Sequence, residues 1–442
     1  MDQFGFTQQE LTPYIGILIL VLFILITSYT KGYREFWSPL TIVAIIYGYY
    51  CCLGPYQAVS SGDTYDRLIN MRQYYTSSFW GAFISLISIV AGFKLNTKKG
   101  IAIPYLRMVS NENLFYYGKR TVVIGLILFT IATGGNILGL INPLDADSIE
   151  QTGGSFSNYF LLSINFLIPG ISLLFIYYLL TKKHFLWFVI TFGVTVGLFI
   201  TLGFRYRIVL LVMSVGIIYY LTLKKRPNLI FGAAFIAGFI TLMGIINITR
   251  NYGSGLNLQK LEGKDTEQYY NSGLRESLIF QTSGAVIDLV PEKYEHVGLA
   301  PIWSTLLFPI PQRIYQEKNS ASYIVGILET IYGPEHFQGS AFMAYAEHYL
   351  AFGWTGIIVA GFLLGWFYKK LWVWFLANSP NPLVKVAYAV TVVYLYVILS
   401  RGYLPQVTML FFFSAFPIYF IIWRIKQRYR YQMTPRTLTR GI

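Results

Sequence analysis

The stretch Tyr14-Ile-Gly-Ile-Leu-Ile-Leu-Val-Leu-Phe-Ile-Leu-Ile-Thr-Ser-Tyr29 contains no charged residue. A helix that crosses a bilayer needs ~20 mostly apolar residues, and the window 13–30 meets that requirement. Windows of the same kind recur along the chain and predict eleven membrane spans. They cover residues 13–30, 36–54, 78–95, 121–142, 159–181, 185–202, 208–223, 229–247, 351–368, 386–400 and 404–423. The pattern predicts an all-α polytopic membrane protein.

The composition of the 442 residues agrees with this class. Apolar and aromatic residues make up 55% and charged residues 12%, about half the charged share of an ordinary globular chain. Disorder needs low hydrophobicity, and a disulfide scaffold needs many cysteines in a short chain, so both are excluded. The two cysteines, Cys51 and Cys52, are adjacent in an apolar run, where we expect them to pack.

The net charge of +14 admits nucleic acid, anionic lipid or an anionic substrate as partners. The loops that alternate along the predicted spans separate these possibilities. One set holds 22 of the 34 Lys and Arg residues, but only Glu35 and Glu112 among the 20 acidic residues. The positive-inside rule makes this set cytoplasmic, with the N-terminus outside. We therefore expect the basic residues after the last span to meet anionic lipid and no nucleic acid.

The segment between the eighth and ninth spans is far longer than an ordinary loop. It contains apolar stretches bounded by proline, such as Pro301–Pro311. We expect it to fold as an external cap with re-entrant or interfacial helices. The predicted organisation is thus spans one to eight (1–247), cap (248–350), spans nine to eleven (351–423) and a basic cytoplasmic tail (424–442).

Several common catalytic motifs are absent from the sequence. There is no Walker-type glycine-rich loop, no HExxH, no CxxC and no GxSxG, and the four histidines are dispersed. Nucleotide-driven, zinc-dependent and elbow-serine chemistries therefore have no support in the sequence.

Arginines on the predicted external side oppose the positive-inside bias. Arg205 and Arg207 lie in a tight turn after the sixth span, Arg401 lies in another after the tenth, and Arg250 follows the eighth. Such residues are costly at membrane depth unless they meet a counter-ion or a cavity. Because guanidinium groups match phosphate oxygens well, the set predicts an anionic ligand at the outer leaflet.

An alternative is that each arginine reaches lipid headgroups or pairs with a carboxylate of the cap, such as Asp288 or Glu329. The cap itself adds Arg275 on a predicted helix. Arg313 and Lys318 follow a rigid Pro-x-Pro turn in the same segment.

Glu347 and His348 are titratable residues in an apolar stretch that leads into the ninth span. At a membrane boundary, desolvation raises the pKa of the carboxyl group towards a value useful to a general base. The alternative is a pair that caps a helix or anchors the cap. Three tyrosines nearby, Tyr315, Tyr345 and Tyr349, are candidates for flat surfaces on which sugar rings lie.

At these residues the sequence resembles the Wzy-type oligosaccharide repeat-unit polymerases of bacterial envelopes. The similar features are the arginine turn after Gly203, the stretch Pro309–Lys318, and the stretch from Ala346 to Gly356. The succession of spans with one large external loop late in the chain is similar as well.

The resemblance implies a GT-C-like membrane glycosyltransferase that uses neither metal nor another cofactor. Its donor and acceptor would be glycans on undecaprenyl pyrophosphate, joined at the outer face of the bacterial cytoplasmic membrane. Glu347 or His348 would be catalytic. The implied pyrophosphate ligands are Arg205, Arg207, Arg250, Arg275, Arg313, Lys318 and Arg401.

Two other functions stay open from the sequence. A ligase would use the same donor with a different acceptor. A flippase or transporter for a lipid-linked anion would line a path with these arginines, although its cations would be expected nearer the midplane. A chain-length regulator and a separate flippase are plausible partners of a polymerase, besides the membrane lipids.

Overall fold

A computed structural model describes residues 5–66, 69–95, 100–103, 110–133, 157–202, 205–251, 255–256, 258–274, 278–310, 314, 322–334 and 341–433. These residues are almost entirely helical. The α-helices are α1 (Gln8–Lys31), α2 (Tyr33–Phe36), α3 (Pro39–Tyr47), α4 (Gly54–Ser60), α5 (Tyr75–Lys94), α6 (Asn111–Ala132), α7 (Ser157–Leu162), α8 (Leu167–Thr181), α9 (Phe185–Thr201), α10 (Arg205–Leu223), α11 (Leu229–Thr249), α12 (Thr266–Leu274), α13 (Leu278–Leu289), α14 (Ala300–Leu307), α15 (Ser322–Tyr332), α16 (Ala344–Asn378), α17 (Pro382–Val393), α18 (Leu395–Ser400) and α19 (Leu404–Met433).

Short elements join some of these helices. A π-helical turn (Gly48–Leu53) fuses α3 to α4, and 3-10 turns precede α5, α8 and α12. Two antiparallel strand pairs complete the described elements: β1 (Tyr65–Asp66) with β2 (Ile69–Asn70), and β3 (Arg250–Asn251) with β4 (Gly255–Leu256).

Ten helical stretches of the described residues are long and apolar enough to cross a membrane. The chain is therefore an all-α polytopic membrane protein, as predicted. The sixth predicted span corresponds to α9, which has 17 residues. At 1.5 Å per residue it is about 25 Å long, shorter than the ~30 Å hydrocarbon core.

The charged loops lie at two opposite ends of the helix bundle. We call the end that holds Glu10 and Arg401 the arginine end, and the opposite one the lysine end. At the lysine end, the Arg226 guanidinium lies 5.7 Å from the ring centre of Tyr29. Two of the loops that were predicted to be cytoplasmic, 31–35 and 224–228, thus meet there.

Helix α9 reaches from one end towards the other despite its length. His184, just before it, stacks on Phe115 with 4.5 Å between ring centres. Near its other terminus, Phe199 lies 6.0 Å below the Arg207 guanidinium. Helix α9 is shorter than each of the ten membrane-spanning stretches of the described residues.

The fourth span begins at Asn111, whereas the sequence predicted residue 121. The Ser110 hydroxyl caps this helix by accepting a hydrogen bond from the Asn113 amide at 3.3 Å. Lys119 is one of the residues of this helix, and its ammonium group lies 5.4 Å from the ring centre of Trp187. Long basic side chains can lie along apolar surface in this way, which is why the helix tolerates charges in its first turns. Residues 134–142 of the predicted span lie outside the described residues.

Helices of the long connection after α11 pack directly against the spans. A Cβ on Gly244 would lie 1.7 Å from the Tyr269 carbonyl oxygen, and one on Gly273 would lie 2.1 Å from that of Ile240. Helices α11 and α12 therefore touch backbone to backbone. The Tyr49 hydroxyl also donates to the Gly273 carbonyl at 2.8 Å, which ties α12 to the second span.

Helix α13 packs against the third span in the same manner. A Cβ on Gly284 would lie 2.0 Å from the Tyr74 carbonyl oxygen, and Ser77 donates a hydrogen bond to the Asp288 carboxylate. Burial raises the pKa of the Asp288 carboxyl group. The sequence suggested Asp288 as a counter-ion for an external arginine. Its carboxylate accepts a hydrogen bond from a serine of the third span.

An ion pair joins the first and third spans at the arginine end. The Arg72 Nη2 atom lies 2.6 Å from Oε2 of Glu10, which is 3% exposed. The same carboxylate accepts from the Thr7 amide at 2.7 Å and so caps α1.

We expect Glu10→Ala to destabilise the protein by about 3 kcal/mol, because it leaves the Arg72 charge uncompensated. Thermal unfolding of the purified protein in detergent measures this loss. Glu262→Ala, at an exposed glutamate, is the matched control and should leave the melting temperature unchanged. Equal melting temperatures for both variants would contradict the prediction.

Candidate functional site

Helix α16 breaks sharply after its second turn. Phe352 (φ −143°, ψ 23°) and Gly353 (φ 62°, ψ −151°) leave the helical region. A Cβ on Gly356 would lie 2.1 Å from the His348 carbonyl oxygen, so the chain folds back tightly on itself. We call residues 344–351 the leg, and residues 354–378 form the ninth span.

The loop before α14 satisfies the carbonyl groups that the break releases. The amides of Val297 and Gly298 each donate at 3.0 Å, to the carbonyls of Leu350 and Ala351. His296 Nδ1 lies 3.1 Å from the Tyr349 carbonyl oxygen. Buried carbonyl groups without partners are costly, so this loop stabilises the break.

Met343, directly before the leg, and Tyr345, within it, pack against two of the spans. The Met343 sulfur lies 3.7 Å from Cys51 Sγ in the middle of the second span. The hydroxyls of Tyr345 and Ser78 are 2.7 Å apart, and a Cβ on Gly81 would lie 2.9 Å from the Tyr345 ring. The leg that carries Glu347 and His348 thus packs against the second and third spans.

We expect Gly356→Ala to destabilise the protein by about 3 kcal/mol, because the added methyl group overlaps the His348 carbonyl and forces the leg away from the span. Gly216→Ala is the matched control, since a Cβ at that helical glycine meets open space. Thermal unfolding of both variants tests this. Equal melting temperatures would show that the leg does not need this close approach.

The Glu347 carboxylate is 3% exposed and accepts hydrogen bonds from two elements. The Tyr323 hydroxyl donates at 2.6 Å, and the Leu404 amide at 2.9 Å to the same oxygen. Leu404 begins α19, where the helix dipole favours a negative charge. Burial, with the charge of Glu347 beside it, raises the pKa of the Tyr323 phenol, which therefore stays protonated. This geometry matches the alternative in which Glu347 caps a helix.

The turn that carries Arg401 packs against Phe342, two residues before the leg. The Gly402 amide donates to the Phe342 carbonyl at 2.6 Å, and a Cβ on Gly402 would lie 2.5 Å from the Phe342 ring. The rings of Tyr403 and Tyr323 are 5.9 Å apart. The structure thus brings Arg401 and the leg to one corner of the bundle.

His348 follows Glu347 on the leg. Its Nδ1 atom is buried and has no hydrogen-bond partner among the described residues. A ring nitrogen in this state can accept a proton from a bound hydroxyl group. Of the two titratable residues, His348 is the one with a buried ring nitrogen that bonds no described residue.

Arg207 lies in the first turn of α10, whereas the sequence placed it in a turn between two spans. It is 4% exposed, and its guanidinium lies close enough to the Tyr394 hydroxyl to interact electrostatically. Tyr394 precedes Arg401 by two helical turns, or about 10 Å. Arg205 and Arg207 thus lie in the first turn of α10, with Arg207 beside a residue two turns before Arg401.

The predicted glycan-binding tyrosines have a different setting. Tyr345 is 2% exposed and Tyr349 is 7% exposed, and the Tyr349 ring packs against Trp354 at 5.0 Å. Because protein encloses both rings, the structure gives them a packing role instead of an open face for a sugar.

The remaining residues that the sequence predicted to bind pyrophosphate or glycan lie outside the described part of the chain, in whole or in their side chains. The side chain of Arg250 lies outside the described part, as do Arg275, Arg313, Tyr315 and Lys318 entirely. Within the described ranges, no three His, Cys, Asp or Glu side chains lie together as a metal site would need.

Sequence reasoning missed Tyr323, which holds Glu347 from a helix of the long connection. No motif marks this tyrosine, and 24 residues separate it from its partner, so only the folded chain reveals the pair.

No family model, no curated protein and no solved structure matches the chain.

Proposed function

We propose that this protein is a membrane glycosyltransferase that polymerises oligosaccharide repeat units carried on undecaprenyl pyrophosphate. The observation that carries the proposal is the corner at the arginine end, where a re-entrant leg with His348 meets the turn of Arg401. Arg205 and Arg207 lie in the first turn of a second helix, α10. Arg401 and a candidate base thus lie at one corner of the bundle.

This arrangement suits transfer from an activated sugar. The acceptor hydroxyl would attack the anomeric carbon of the donor, the bond from that carbon to pyrophosphate would break, and His348 would take the hydroxyl proton. Arg205, Arg207 and Arg401 would stabilise the charge that develops on the departing pyrophosphate. Sugar pyrophosphates are already activated, so this chemistry suits an external face without ATP.

Glu347 has a supporting role in this scheme. Its carboxylate would hold the leg against the first turn of α19, and so fix the distance between His348 and Arg401. It is a positioning residue.

Incubation of the purified protein with lipid-linked repeat units tests the proposal. A ladder of products that differ by one repeat is the expected result, and Arg401→Gln should remove it. A single addition to a different acceptor would indicate a ligase. Movement of intact repeat units across a proteoliposome membrane, without any ladder, would favour the flippase and overturn the proposal.

A further inference from the structure

Three cations of the lysine end come from separate parts of the chain and lie close together. Arg34 lies in α2, Lys224 directly follows α10, and Lys385 lies in the first turn of α17. The half-buried Lys385 is near enough to Lys224 and to Arg34 to interact electrostatically with both. We call these three residues the cation cluster. Since like charges repel, their proximity costs free energy unless an anion offsets it.

Carboxylates of the protein do not balance the cation cluster. The loops predicted to be cytoplasmic contain only Glu35 and Glu112 as acidic residues. Glu35 is near enough to the Tyr388 hydroxyl to interact with it, but in the described part of the chain it forms no ion pair, and neither does any member of the cluster. The Arg34 Nε–H donates to the Tyr33 hydroxyl at 3.1 Å. Even with Glu35 nearby, the cluster therefore keeps a net positive charge.

A buried hydrogen-bond donor belongs to the same three segments. The Trp37 side chain is 7% exposed, and its indole N–H bonds no described residue. The Trp37 ring stacks on Tyr220 of α10 with 5.3 Å between ring centres. Its carbonyl accepts a hydrogen bond from the Tyr388 hydroxyl of α17 at 2.5 Å. A buried donor without a partner costs free energy, so this indole calls for an acceptor.

These contacts place the indole beside the cation cluster. Lys224 follows Tyr220 by four residues, and Lys385 precedes Tyr388 by three, which in each case is about one helical turn. The third cation precedes Trp37 by three residues. The guanidinium, the two ammonium groups and the indole all donate hydrogen bonds, and none of them accepts one. Together they suit an anion with several acceptor oxygens.

We propose that the cation cluster and the Trp37 indole N–H bind a phosphate group at the lysine end. The oxygens of a phosphate accept hydrogen bonds from guanidinium and ammonium groups, and its charge would offset their repulsion. An apolar ligand would leave the indole donor unsatisfied, and a cation would be repelled. The phosphate belongs either to the headgroup of an anionic phospholipid or to a free phosphate in solution. This site does not depend on the proposed function.

Thermal unfolding of the purified full-length protein in a neutral detergent tests the site, with dioctanoyl phosphatidylglycerol as the probe. A ligand of the folded state raises the melting temperature with its concentration, so a titration gives an apparent affinity. Lys224→Gln and Lys385→Gln should each weaken this affinity at least tenfold. Lys385→Gln should melt no lower than the wild type without the probe, because it removes a repelled charge.

Lys183→Gln is the matched control, because Lys183 is an exposed cation of another loop that was predicted to be cytoplasmic. It should leave the affinity unchanged. Trp37→Phe keeps an aromatic ring beside Tyr220 and removes the N–H group. It should weaken probe binding about two- to tenfold, the value of one hydrogen bond.

Two further probes distinguish the sources of the phosphate. If inorganic phosphate raises the melting temperature with the same dependence on Lys224 and Lys385, a free phosphate is sufficient. If only phosphatidylglycerol does so, the ligand is a lipid headgroup. Either result supports the site. Dioctanoyl phosphatidylcholine should bind at least tenfold more weakly than phosphatidylglycerol, because its choline group carries a positive charge.

Four results would overturn the proposal. They are wild-type affinity in both lysine variants, an equal loss in Lys183→Gln, unchanged affinity in Trp37→Phe, and equal affinity for the two lipids. The first two would mean that no particular cations hold the probe. The third would remove the indole from the site, and the fourth would show that the charge of the ligand does not matter.

Discussion

His348→Gln is expected to reduce polymer formation by about 100-fold or more, because loss of a general base costs 10²–10⁴ in rate. Glu347→Gln is expected to stay within about tenfold of the wild type. The glutamine oxygen can still accept from Tyr323 and from the Leu404 amide, and only the charge at the start of α19 is lost. The yield of repeat-unit ladders from the purified variants measures both effects.

Thermal unfolding provides the control for this pair of variants. His348→Gln should melt as the wild type does, while Glu347→Ala, which removes the cap, should melt lower. If Glu347→Gln is as inactive as His348→Gln and melts normally, Glu347 is the base and the assignment of roles is reversed.

Arg207→Gln is expected to lower the rate of polymerisation by about 100-fold, since removal of one donor from a preorganised anion site costs on this order. Arg207→Lys should restore only part of the activity, because an ammonium cannot reproduce the planar fork of a guanidinium. The measurement is the initial rate at saturating lipid-linked repeat unit.

Lys225→Gln is the matched control, because Lys225 is an exposed cation at the lysine end. It should leave the rate unchanged. Equal losses in Arg207→Gln and Lys225→Gln would mean that overall charge matters, and not the position of Arg207 beside Tyr394.

The sequence predicted the spans well because long apolar windows are a strong and local signal. The predicted start of the fourth span was too late. The charges of Glu112 and Lys119 favoured a loop, although both residues lie on a helix. The burial of Arg207 could not be predicted, because it depends on packing beside Tyr394, which lies far away in the sequence.

The leg was hidden in the sequence for a different reason. A single glycine in a helical pattern lowers its stability only slightly, so Gly353 does not by itself predict a break. The spacing of Gly353 and Gly356 was the available signal. What makes the break possible is the loop at Val297, which lies about 50 residues earlier in the chain and donates to the released carbonyls.

The 17 residues of α9 also have a consequence for the surrounding lipid. This helix exposes large apolar side chains such as Leu186 (68%) and Ile190 (52%), so lipid acyl chains cover it. A helix about 5 Å shorter than the hydrocarbon core thins the adjacent bilayer. The leaflet should dip beside the start of α10, and this hydrophobic mismatch would bring lipid phosphates down towards Arg205 from the side.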